Sequence, residues 1–196
     1  MSTSVPANAQ GATPADTLTA LFYLSMLLVI AAILTAAMAY QYGNSEIPCP
    51  LCLLQRVALF GVCFGLIQNF RSGFSDRNTG FSLLFTVFLL IVSVRQTLLN
   101  IYPRPGHAYV GSAVFGIHMP VWCVLIAVAL LAAFAVKLAL LGGDSGRDNR
   151  QVPAPIAQLA TIAGLYVVVL CVINFASVVL QCGLDACHTY EYRLLK

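Results

Sequence analysis

Residues 44–60 read NSEIPCPLCLLQRVALF, two cysteines and an arginine at the mouth of an apolar run. Cys49 and Cys52 stand in C-x-x-C spacing around Pro50, and Arg56 follows four residues later. A proline in the first turn of a helix loses nothing, because its missing N–H would be unpaired there anyway. The run from Leu53 therefore reads as a helix with Cys49 and Cys52 at or just before its N-terminus. Spacings of three and four put positions 49, 52 and 56 on one helical face. The N-terminal end of a helix carries partial positive charge, which lowers a thiol pKa, and the thiolate is the reactive species.

Composition says what surrounds that run. The chain has 196 residues, 60% hydrophobic and only 9% charged. Soluble domains carry about 25% charged residues, so lipid is the solvent for most of this one. A net charge of +3, with no basic cluster, gives no footing for a nucleic-acid partner. Five segments approach or exceed the ~20 apolar residues that cross a bilayer: Leu18 to Tyr40, Leu53 to Phe70, Gly80 to Ile101, Val114 to Leu141 and Ile156 to Leu180. Gly/Asn, Arg-Ser-Gly, Pro-Arg-Pro-Gly and Gly-to-Pro stretches punctuate them. The expected fold class is an all-α membrane protein with one five-span domain over residues 17–181. Residues 1–16 are expected to be a disordered cytoplasmic tail, and residues 182–196 a periplasmic tail with cysteines. The first apolar run lacks the basic n-region of a signal peptide and is too long for one.

In a membrane, Arg56 costs up to ~2.5–3.5 kcal/mol, and a thiolate or an anionic ligand would offset that. A lipid-soluble quinone gains negative charge on its oxygens as it is reduced, and this helix mouth is a place where a membrane dithiol could meet it. Other readings of the same residues are a static disulfide, half of a metal site, and an arginine that snorkels to the interface.

An odd number of spans separates the loops into two faces. The 71–79 and 142–155 loops share one face with the N-terminus. The 41–52 and 102–113 loops share the other with the C-terminal tail. Arg71, Arg77, Lys137, Arg147 and Arg150 on the first face, against Arg56, Arg104, Arg193 and Lys196 on the second, tilt the first weakly toward the cytoplasm. The cysteines say more: by parity, Cys182 and Cys187 of QCGLDACHTY land on the face that holds Cys49 and Cys52. Two close pairs on one face suit an oxidising compartment such as the periplasm.

Among the remaining residues, Cys63 and Cys171 lie mid-span and read as packing residues. Cys123, near the outer end of the fourth span, is a reserve candidate. His107 and His118 border the cysteine face, and Trp122 with Tyr102, Tyr109, Tyr190 and Tyr192 fits an interfacial aromatic belt. Arg95 is a second costly intramembrane charge, with a structural or a quinone-site role. Asp144, Asp148, Arg147 and Arg150 read as a solvated cytoplasmic loop.

CPLCLLQRVALFGV closely resembles the DsbB family of membrane thiol oxidases, and the resemblance continues through Gln96–Pro103 and Phe115–Trp122. It implies a four-helix transmembrane bundle of DsbB type, here with a fifth transmembrane helix. It also implies a protein-dithiol:quinone oxidoreductase in the bacterial inner membrane, with its N-terminus cytoplasmic. Such an enzyme reoxidises a DsbA-like thioredoxin-fold protein of the periplasm and reduces ubiquinone or menaquinone. Cys49 and Cys52 become the quinone-facing pair, with Arg56 and Gln96 as quinone neighbours.

Two departures matter. The second cysteine pair that the best-known members carry between their third and fourth spans is missing, and Cys182 and Cys187 stand in its place. Gln96 stands where those members have His; it can hydrogen-bond a quinone oxygen but carries neither charge nor proton. On the residues alone, two further readings stay open. Cys49, Cys52, Cys182 and Cys187 could form a four-thiolate metal site, or the chain could be a vitamin-K-epoxide-reductase-like enzyme.

Overall fold

The computed structural model describes residues 13–43, 48–101, 113–144 and 152–183. Five helices fill most of that chain: α1 (Pro14–Gly43), α2 (Pro50–Ser72), α3 (Asp76–Ile101), α4 (Met119–Leu141) and α5 (Ala154–Cys182). All five are long and apolar enough to cross a membrane, as expected from the sequence. The fourth starts later than its apolar run suggests. A two-residue hairpin intervenes, β1 (Ala113–Val114) antiparallel to β2 (Ile117–His118), and Pro120 then opens α4 in the first turn.

The most buried of the five is α2, which packs on α3, α5 and α1; α3 carries α4 on its other side, and α1 packs on α5. Helix association in lipid relies on close packing and small residues rather than on the hydrophobic effect. Gly61 and Gly65, four residues apart on α2, provide that approach. A Cβ at Gly65 would clash with Ser82 Oγ and stand 2.5 Å from the Asn78 carbonyl oxygen, and one at Gly61 would clash with the Phe85 ring. Ser82 exploits the proximity by donating to the Val62 carbonyl at 3.0 Å. Gln55 Nε2 bonds Ser93 Oγ at 3.2 Å nearer the cysteine end, so α2 and α3 stay in antiparallel register along most of their length.

Opposite the cysteines, the end of the bundle is closed by a buried polar clasp. Lys137 of α4 reaches Asp144 at 2.7 Å with both side chains fully buried. Tyr23 OH of α1 donates to the same Asp144 oxygen at 2.6 Å, and Thr79 Oγ1 of α3 donates to it at 3.1 Å. Asn69 of α2 joins through Thr79 at 3.3 Å, and the Asp144 backbone N–H donates to Asp76 Oδ1 at 2.6 Å. Asp144 is therefore not part of a solvated loop, contrary to the expectation from sequence. The chain turns back after α4 through Gly142, at φ 72°, and buries the carboxylate under Lys137. Burial works against the charged Asp144, but its hydrogen bonds from Lys137 and Tyr23 outweigh that and hold its pKa below the usual aspartate value. Asp148, Arg147 and Arg150 lie outside the described residues.

Candidate functional site

Local chemistry sets Cys49 at the start of α2. Its backbone is extended (φ −67°, ψ 157°), Pro50 follows in the first turn, and the Cys49 sulfur caps the helix by accepting from Cys52 N–H at 3.2 Å. Cys49 and Cys52 are free thiols, both half-buried. The helix N-terminus alone would lower the Cys49 pKa. At Cys49 the hydrogen bond with the Cys52 side chain, followed by burial, overrides it and pushes the thiol up. Two thiols this close titrate as a unit, because ionising one disfavours ionising the other.

The third partner comes from the end of α3. Gln96, buried to 5% exposure, directs its Nε2 at both sulfurs, 3.2 Å from Cys49 Sγ and 3.3 Å from Cys52 Sγ. The Gln55–Ser93 bond lies about one turn deeper on the same two helix faces and fixes this register. Gln96 Oε1 is buried and has no hydrogen-bond partner among the described residues. An amide that donates to the dithiol with its nitrogen while its oxygen stays open can still accept a proton-bearing group.

Arg56, one turn below Cys52 on α2, is buried against α1 and α5. Its guanidinium donates to Gln41 of α1, to the Ala37 carbonyl at 3.0 Å and to Asn174 of α5 at 3.4 Å. It therefore does not snorkel out; neutral oxygens of two neighbouring helices solvate it inside the bundle, within electrostatic reach of Cys52 and Cys123. This is a concentrated donor set beside a dithiol, and it suits a ligand whose oxygens gain negative charge and then protons.

The second cysteine pair is half visible. Cys182, buried at the end of α5, is disulfide-bonded, and the other five described cysteines are free thiols. Cys187 lies outside the described residues, as do His107, Tyr102, Tyr109, Tyr190 and Tyr192. A disulfide sulfur is not a thiolate, so Cys182 as it stands does not complete a four-cysteine metal site. Among the other candidates, Cys63 is fully buried in the core, as expected of a packing residue, whereas Cys171 lies on the exposed face of α5. Cys123 is half-buried in the second turn of α4. Arg95 faces outward from α3 into a shallow groove with Leu90, Ile91, Val94, Leu98 and Leu99, away from the side on which Gln96 meets the sulfurs.

Several residues at the cysteine end had no place in the sequence reading: Gln41, Asn174 and Gln181, all buried and all polar. Gln181 Nε2 donates to the Pro48 carbonyl at 2.8 Å, directly before Cys49. The available signal was a neutral polar side chain recurring at helical spacing near the end of an otherwise apolar span.

Residues 19–108 match the family model described as disulfide bond formation protein DsbB. No match was found among curated proteins or among solved structures. The matched stretch takes in Cys49, Cys52, Arg56 and Gln96, while α4 and α5 lie beyond it. Over that stretch the chain is similar to the disulfide bond formation proteins of the DsbB family, and its described residues supply five helices long and apolar enough to cross a membrane.

Proposed function

We propose that this protein is a protein-dithiol:quinone oxidoreductase that reoxidises a DsbA-like thioredoxin-fold protein and delivers the electrons to ubiquinone or menaquinone. The observation that carries the reading is the Gln96 amide, bonded to both sulfurs of a C-x-x-C at a span mouth, with a buried arginine one turn on. The residues suit a quinone: Arg56 supplies a permanent cation, and the open Gln96 Oε1 supplies an acceptor for a hydroxyl proton. Bound there, a membrane quinone would take up two electrons and two protons.

The chain's own residues account for the remaining steps. The soluble partner's dithiol becomes a disulfide as the Cys182–Cys187 disulfide opens to two thiols. A thiolate of that pair then attacks the Cys49–Cys52 disulfide, which is reduced while Cys182–Cys187 closes again. Finally Cys49 and Cys52 re-form their disulfide and release two electrons and two protons toward the quinone. Gln96 Nε2 stabilises whichever sulfur is anionic in the exchange, and Arg56 favours the thiolate and the developing oxygen charge.

This reading places the cysteine ends of the helices and the 182–196 tail in the periplasm, with the polar clasp and residues 1–16 on the cytoplasmic side of the inner membrane. Its test is quinone reduction by the purified protein with a reduced thioredoxin-fold oxidase as donor. Loss of turnover in both Cys49→Ser and Cys187→Ser is the expected result. Loss in Cys49→Ser alone would reduce Cys182–Cys187 to a structural disulfide. No turnover with several donors and both quinones would overturn the assignment.

A further inference from the structure

The fifth helix lies beyond the family match, yet it reaches into the dithiol site. Its buried residues Ala163, Val167, Leu170, Asn174, Ser177 and Gln181 recur every three or four positions, so they form one stripe facing α1 and α2. The stripe is apolar through the middle of the span and turns polar only in its last three members. Each of those three touches the cysteine end: Asn174 accepts from Arg56, Ser177 bonds Tyr42 OH, and Gln181 donates to the Pro48 carbonyl at 2.8 Å. Gln181 is fully buried. The disulfide at Cys182, the next residue, constrains the helix end that carries it.

We propose that Gln181 is a positioning residue for Cys49: by holding the Pro48 carbonyl it fixes the peptide from which Cys49 caps α2 and meets Gln96. The Cys49 sulfur sits close along the chain to that anchor. Loss of the bond lets the 48–49 segment swing, and the Cys49 sulfur drifts from Cys52 N–H and from Gln96 Nε2. The thiol–disulfide balance of Cys49–Cys52 shifts as a result. The proposal rests on the reading of Cys49 and Cys52 as the reacting pair. Its test reads thiol chemistry alone, so it stands or falls without a quinone or a protein partner.

The experiment uses the full-length protein in detergent and compares wild type, Gln181→Met and Gln181→Glu. Two quantities are read: the equilibrium of Cys49–Cys52 with glutathione, and the maleimide reaction rate of Cys49 relative to Cys123. The expected result for Gln181→Met is a roughly fivefold change in both, the scale set by one hydrogen bond. Gln181→Glu adds a pH signature. A protonated carboxyl still donates to the Pro48 carbonyl, whereas a carboxylate repels it. The Glu variant therefore matches wild type at acidic pH and departs from it as pH rises through the pKa of the buried acid.

Wild-type equilibrium and rates in Gln181→Met would overturn the proposal. So would a uniform rise in reactivity at Cys49 and Cys123 together, which marks general loosening. Should Gln181→Met fail to fold, a Gln181→Glu variant whose ratio to wild type is flat with pH would overturn it equally.

Discussion

Gln96 Nε2 stands 3.3 Å from Cys52 Sγ, so the last turns of α3 are hydrogen-bonded to the first turn of α2 at a cysteine sulfur. Sequence resemblance pointed to Gln96 as a quinone neighbour; the geometry gives its amide nitrogen to the sulfurs and leaves only the oxygen open. Gln96→Leu removes the donor while roughly conserving volume. The expected outcome is a Cys49–Cys52 dithiol that ionises less readily, with maleimide reactivity near neutral pH lowered roughly fivefold to tenfold, the value of one charge-assisted hydrogen bond. Gln96→His restores a donor and should recover part of that loss. Equal reactivity in wild type and Gln96→Leu would show that the amide does not act on the thiols.

The Lys137–Asp144 pair makes a prediction about stability and pH. Removing one partner from a buried ion pair costs about 3–5 kcal/mol, because the other charge is left uncompensated. Asp144→Asn should therefore unfold at a markedly lower temperature in detergent. The folded-state pKa of Asp144 is depressed, so its contribution is fully present above the unfolded value of ~3.9 and fades as pH falls through the lower folded value. The gap in melting temperature between wild type and Asp144→Asn should be constant near neutral pH and close only in strong acid. A gap that closed on the alkaline side of neutrality would assign the effect to another group.

Much of this architecture was legible beforehand, and the failures have physical causes. Hydropathy located all five spans, since charge cannot sit in lipid without signalling itself. Parity brought Cys182 to the end that holds Cys49 and Cys52, and the Gln181–Pro48 bond confirms that these ends meet. The clasp was not legible: an aspartate after a glycine pair looks solvated until the chain is seen to turn back onto Lys137. Asn174 and Gln181 escaped because a neutral amide barely lowers the hydropathy of a long apolar run. The spacing of Gly61 and Gly65 was readable as a close-approach motif, but only the packing shows that α3 is what approaches.

That packing separates two glycines chemically alike. At Gly65 an added Cβ meets the Asn78 backbone oxygen as well as Ser82, and helical backbone cannot step aside; at Gly61 it meets the half-buried Phe85 ring from Cγ outward, which must change rotamer to make room. Gly65→Ala should cost about 1–3 kcal/mol, typical of overpacking, and Gly61→Ala distinctly less. Because α3 also carries Gln96, Gly65→Ala should disturb Cys49 and Cys52 reactivity from a distance, while Gly61→Ala leaves it close to wild type. Thermal unfolding and maleimide rates on the two variants check both statements. A larger loss at Gly61 would reverse the assignment of which contact is rigid.

Arg56 distinguishes charge from shape. Its planar guanidinium spans Gln41, the Ala37 carbonyl and Asn174 at once, a set that a single ammonium cannot reach. Arg56→Lys keeps the cation but drops part of this set, so the charge is less firmly placed. If the cation serves the bound quinone, Arg56→Lys should raise KM for quinone severalfold, and Arg56→Met should raise it by more than tenfold with a fall in kcat. Arg56→Met also leaves buried amide and carbonyl oxygens without their donor, at about 1–3 kcal/mol for each one unsatisfied, so turnover must be compared on folded protein. An Arg56→Met enzyme that folds and keeps the wild-type KM for quinone would confine Arg56 to tying α1, α2 and α5 together, and the quinone's oxygens would have to be met by Gln96 or by another group.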